Sequence, residues 1–130
     1  MVKRESWYNV LLERFKIYKR LKMRREILLI GYKELRENDK YIEECEELGI
    51  IDQRINEIDN AILMLTKVQQ FLIRTKFLEG YYPLRKSDAD IMNIVRDYAK
   101  RNGIRVSNTR TYQRLKSEGL KGIAIILEII

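Results

Sequence analysis

Two arginines, Arg110 and Arg114, stand four residues apart in a stretch whose other polar residues include Asn108, Thr109, Thr111 and Gln113. Side chains four apart share one face of a helix. A guanidinium there can grip a phosphate or the edge of a guanine with two parallel hydrogen bonds. Short hydroxyl and amide side chains suit phosphate oxygens and thymine methyls. Tyr112, Leu115, Leu120 and Ile123 form an apolar stripe on the same segment, leaving Arg110, Gln113, Arg114 and Lys116 on the other side. One side is thus predicted to pack while the other offers donors. Ser107 is of a type that caps helices, so the helix is predicted to start after it and to run toward Ile130. This is the layout of the second helix of a helix-turn-helix, whose first residues enter the major groove. The alternative is an ordinary surface helix with solvated charges.

A preceding element has to hold that helix in place. Ser87 and Asp90 have cap spacing for a helix over 88–102, with Ile91, Ile94, Val95, Tyr98 and Ala99 directed at a core and Asn102-Gly103 ending it. Ile104 and Val106 would cross the turn as apolar pegs. Arg85, Lys86, Lys100, Arg101 and Arg105 flank these elements and are suited to holding a phosphate backbone. With Asn108, Thr109, Arg110, Thr111 and Arg114 they make the candidate DNA-contacting set. The joint Tyr81-Tyr82-Pro83-Leu84 carries the only proline and marks the main boundary, because a residue before proline avoids helical geometry.

Upstream, residues 3–38 read as one long helix, with Trp7, Val10, Leu11, Phe15, Tyr18, Leu21, Ile27, Leu28 and Leu35 recurring at helical steps. Its basic run, Arg14, Lys16, Lys19, Arg20, Lys22, Arg24 and Arg25, reads as a solvated face rather than a binding surface. The acidic run Glu43, Glu44, Glu46 and Glu47 lacks the pattern of a calcium loop. It is expected to form a short helix ending at Gly49, its acids in water or against a basic neighbour. Ile51, Ile55, Ile58, Ile62 and Leu65 then make an amphipathic stripe that can lie antiparallel to the first helix. Thr66 and Gln69 have capping-box spacing, so either a new helix starts there and stops at Gly80, or one helix runs through. The inward positions of this stretch would be Val68, Phe71, Leu72, Thr75 and Leu78.

Composition narrows the function. The formal net charge is +7, and from Tyr81 onward ten Lys and Arg face five Asp and Glu, so the positive field concentrates in the C-terminal half. A polyanion is the partner such a field suits. There is no histidine, one cysteine (Cys45), no glycine-rich phosphate loop and no nucleophile elbow, which argues against an enzyme, a metal centre or a cofactor. The lone cysteine fits a reducing cytoplasm, and no apolar run approaches membrane-spanning length. The aromatics fall on core faces rather than forming a platform for stacking RNA bases.

The order of long helix, second helix, a phrase like RTKFLEG and then S-x-T-x-x-Y-x-R-L resembles phage-type transcriptional regulators of the ArpU/RinA kind, whose C-terminal part looks like region 4 of sigma-70 factors. The matching residues are Arg74, Phe77, Leu78, Glu79 and Gly80, then Ser107, Thr109, Thr111, Tyr112, Arg114, Leu115, Leu120, Ile123 and Ala124. The span from Ile91 to Ser107 is longer than the family's pattern. The resemblance implies sequence-specific double-stranded DNA binding and transcription control in a phage or prophage, with RNA polymerase as a further partner. The expected architecture is all-α: a long helical hairpin over 1–65, suited to oligomerisation, followed by a helix-turn-helix domain over 66–130. The long stripe and the apolar tail over 123–130 point to a homodimer. The competing function is a coiled-coil-like scaffold that binds another protein.

Overall fold

The computed structural model describes residues 6–32, 39–79, 87–106 and 108–130. Leu35, Gly80, the joint over 81–84, Arg85, Lys86 and Ser107 lie outside them. The protein is all-α, and no strand occurs among the described residues. The elements are α1 (Ser6–Tyr32), α2 (Asp39–Leu63), α3 (Lys67–Ile73), a π turn (Arg74–Leu78), α4 (Asp88–Arg101) and α5 (Thr109–Ile126).

In α1, Leu11, Phe15, Tyr18 and Leu28 are buried, and Trp7 and Leu21 pack partly against the same core. Val10 and Ile27 were expected to join them but are 48% and 58% exposed. Each sits one residue, about 100° of helix rotation, from a buried neighbour, Leu11 or Leu28, and the face toward α2 does not extend that far. α1 lies against α2, from which Ile51, Ile55, Ile58 and Ile62 are buried. Arg14 and Tyr18 of α1 meet Glu57 and Asp59 of α2, whereas Arg24 and Arg25, farther along α1, meet Glu47 and Asp52, farther back along α2, so the two run antiparallel. Glu47 of the acidic run thus meets a basic neighbour: Arg24 Nε donates to it at 2.9 Å, and that hydrogen bond holds its carboxyl below the usual range.

Gly49 does not end a helix. α2 continues through it to Leu63, with Leu48 partly buried on one side and Ile51 buried on the other. A glycine costs a helix interior only about 1 kcal/mol against alanine, which the flanking apolar burial outweighs.

Thr66 does start a new helix. Its hydroxyl accepts from the Gln69 backbone N–H at 3.3 Å, and Gln69 Oε1 accepts from the Thr66 N–H at 3.2 Å, a complete capping box. Gln69 also donates to the Leu115 carbonyl at 3.3 Å, which satisfies a nearly buried amide and ties α3 to α5. Val68, Leu72 and Ile73 are buried, while Phe71 and Leu78 are partly so. The π turn adds a residue to the helical repeat and turns Thr75 inward, where its hydroxyl finds no hydrogen-bond partner among the described residues.

α3 packs against both α4 and α5, and α5 also reaches α1 and α2, so the buried residues form one continuous core. Phe71 of α3 stacks on Tyr98 of α4, with ring centroids 4.1 Å apart. Ile91, Val95 and Ala99 are buried in α4, but Ile94 is 37% exposed and stays on the solvent side.

α4 and α5 end in the same motif. After α4, the N–H of Gly103 donates to Lys100 O and that of Ile104 to Ala99 O, with Gly103 at φ +71°. After α5, the N–H of Glu128 donates to Ile125 O and that of Ile129 to Ala124 O, with Glu128 at φ +59°. Both are Schellman motifs, but only the first has glycine at its left-handed position. Glu128→Gly is therefore expected to raise stability by up to about 1 kcal/mol, and Gly103→Ala to lower it by a similar amount. Urea unfolding of the two variants checks the pair; equal shifts of the same sign would contradict it.

Candidate nucleic-acid interface

α5 is capped by Asn108, whose side chain accepts from the Thr111 N–H at 2.8 Å. The helix begins at Thr109, one residue later than a Ser107 cap would give. Ser and Asn are near-equal caps, so local preference does not separate two adjacent candidates. Tyr112, Gly119, Leu120, Ile123 and Ala124 are buried along one side, and Leu115 is partly buried. Arg110, Arg114, Ser117, Glu118 and Lys121 are exposed along the other.

The candidate contacts that the structure describes lie on the first two turns of this helix, in the last turn of α4 and in the connection between them. Asn108, Thr109, Arg110 and Arg114 are exposed, Thr111 is half-buried, and its backbone N–H is already used by the cap. Lys100 and Arg101 occupy the last turn of α4, and Arg105 is exposed in the connection. That connection runs from the cap Asn102 to the cap Asn108, longer than the three or four residues of a standard helix-turn-helix. Only one of its two apolar pegs enters the core: Val106 is buried and Ile104 is 44% exposed. The Val106 carbonyl accepts from Arg96 Nε at 3.3 Å, which fastens the connection to the middle of α4.

Lys116 is not on the donor face. It is mostly buried and, with Lys76 of the π turn, clasps Asp88 at the start of α4. Asp88 Oδ1 accepts from Lys76 Nζ at 2.8 Å, from the Tyr112 hydroxyl at 3.0 Å and from Lys116 Nζ at 3.3 Å. Lys116 follows the partly buried Leu115, and its long stem runs along the packed side before the ammonium reaches the carboxylate. The clasp was missed in the sequence because its members are up to 40 positions apart, Lys76 to Lys116. The one available signal was an acid in the first turn of a capped helix, where the helix dipole favours it.

Burial works to raise the pKa of Asp88, but the hydrogen bonds from Lys76 and Tyr112 and the charge of Lys116 win and lower it from 3.8 to about 2. Burial and the same carboxylate push the Tyr112 phenol up, so it remains a donor at any ordinary pH. Because the Asp88 pKa is depressed, its stabilisation is complete above about pH 4 and is lost as the pH falls toward 2. The side chain is 42% exposed, so solvent screening limits the expected contribution to about 1 kcal/mol. Asp88→Asn should lose that stability at neutral pH and flatten the acid dependence across this window. Thermal melts at pH 2, 4 and 7 measure it (those three values span the window roughly); an unchanged acid slope would contradict the assignment.

The two basic regions differ in one respect. In α1, Arg14, Arg24 and Arg25 face Glu57, Glu47 and Asp52 of α2. Around α5, none of Lys100, Arg101, Arg105, Arg110 and Arg114 forms an ion pair among the described residues. With Lys16 paired to Glu13, four of the seven cations in that run of α1 are thus paired among the described residues, while none of the C-terminal cluster is. No helix among the described residues is long and apolar enough to cross a membrane. Compared with known protein families, curated proteins and solved structures, the chain matches none.

Proposed function

We propose that the protein binds double-stranded DNA in a sequence-dependent way, with the first two turns of α5 as the reading element. The proposal extends to control of transcription in a phage or prophage, the role that the ArpU/RinA resemblance implies, with RNA polymerase as a further partner. The observation that carries it is the contrast between Arg14, Arg24 and Arg25, paired across to α2, and Lys100, Arg101, Arg105, Arg110 and Arg114, which form no ion pair among the described residues. Arg110 and Arg114 are the base-reading candidates, with Asn108, Thr109 and Thr111 beside them. Lys100, Arg101 and Arg105 hold phosphates, as do Arg85 and Lys86 ahead of α4.

Duplex affinity measured across a salt series tests this. If Arg85, Lys86, Lys100, Arg101 and Arg105 each neutralise one phosphate, log affinity falls with log salt at a slope of about −4 to −5. A slope near zero, or no binding at low salt, would overturn the proposal. The second reading is a helical scaffold, favoured by the exposed Ile27 and Ile30 on α1. It requires binding to a protein that is driven by apolar burial and nearly indifferent to salt.

A further inference from the structure

The chain is 35% charged, yet three of its stretches, residues 6–12, 60–66 and 122–127, contain no Asp, Glu, Lys or Arg. The fold brings these stretches to one end of the molecule. α1 and α2 are antiparallel, which puts the start of α1 level with the end of α2. α5 runs antiparallel to α3: Gly119 lies against Gln69 and Ile73, and Gly122 against Leu65, where an added Cβ would meet Leu65 Cδ2 at 3.3 Å. Ile125 and Ile126 therefore sit one turn beyond that contact, at the corner where α2 gives way to α3. Leu63 and Met64 occupy that corner and are 61% and 75% exposed, while Ile125 and Ile126 are 56% and 44% exposed. Ile130, just past the end of α5, is 51% exposed.

We infer that this apolar end, in which Glu128 is the one charged residue of 122–130, is a self-association surface whose occupant is the same surface of a second copy of the chain. The first argument is electrostatic. Two molecules of net charge +7 repel one another on approach, and least where charged side chains are missing from the meeting faces. A foreign acidic partner would instead be drawn to the cationic face around α5. The second argument is area. The five side chains leave on the order of 500 Å² of apolar surface in water, near the upper limit for one patch on a monomer. Pairing the patch with its own copy about a two-fold axis removes roughly twice that, the lower bound of a specific interface. The inference does not depend on the DNA reading.

Sedimentation equilibrium of the full chain without DNA tests it. The wild type is expected to dimerise with a dissociation constant of about tens of micromolar or tighter. Met64→Glu combined with Ile126→Glu should weaken the dimer by at least about tenfold, equivalent to 1.4 kcal/mol. Each change removes apolar contact and sets a carboxylate near its own copy across the two-fold axis, and both effects oppose the pairing. Ile30→Glu, at a 73% exposed position away from this end, should leave the dimer intact. Circular dichroism checks that each variant is folded, and Leu63→Gln with Met64→Gln serves if the charged pair is not. A monomeric wild type at about 100 µM, a dimer untouched by either double variant, or equal loss in Ile30→Glu would overturn the inference.

Discussion

Tyr112→Ala is expected to destabilise the protein by about 3–5 kcal/mol, the range for truncating a buried aromatic side chain. Tyr112 is fully buried and donates its hydroxyl to Asp88. Truncation opens a cavity on the packed side of α5 and also strips one of the three donors from the Asp88 clasp. A small domain has a total stability of roughly 5–15 kcal/mol, so the variant should be partly unfolded under warm conditions. Tyr112→Phe keeps the ring and loses only the hydrogen bond, at about 1 kcal/mol. Urea unfolding of the two variants separates cavity from hydrogen bond. A loss below about 1 kcal/mol for Tyr112→Ala would mean that the α5 side holding this ring is not packed as described.

Arg114→Ala should do the opposite: leave the melting curve unchanged and reduce binding to a preferred duplex by about 1–3 kcal/mol, with base choice relaxed at one position. The side chain is exposed and has no ion-pair partner among the described residues, so the fold loses nothing with it. Lys100→Ala and Arg101→Ala should weaken every duplex about equally and reduce the salt slope by about one each, as phosphate contacts do. If Arg114→Ala binds random and preferred duplex as the parent does, α5 does not read bases.

Local signals in the sequence were good guides wherever local chemistry decides. The Ser87 cap with its Asp90 partner and the Ile51, Ile55, Ile58 and Ile62 stripe of α2 each combine a side-chain type with a spacing that admits one main solution, whereas the Thr66–Gln69 box is compatible with a new helix or a continuous one, and the fold takes the first. The cap of α5 slipped by one residue because two good capping types are adjacent. Gly49 misled because propensity is a small term beside the burial of Ile51. Val10, Ile27 and Ile94 misled because an apolar side chain one step off a stripe looks the same in sequence whether or not a neighbour covers it. The π turn shifts the repeat over 74–78, and no residue there announces it.

The apolar tail divided. Ile123 and Ala124 entered the core, while Ile125, Ile126 and Ile130 stayed outside. For the candidate interface, the exposed arginines of α5 were legible from their spacing against Tyr112 and Leu115. Lys116 was not, because its partner Asp88 lies 28 positions away and only the fold brings the two together.

Selection of bound sites from a pool of random duplex DNA by the full chain decides whether α5 reads bases. An enriched sequence motif is expected, recovered again on reselection and lost when Arg110 and Arg114 are both replaced by alanine. Recovery of a pool no different from the input, by a folded protein at low salt, would contradict it.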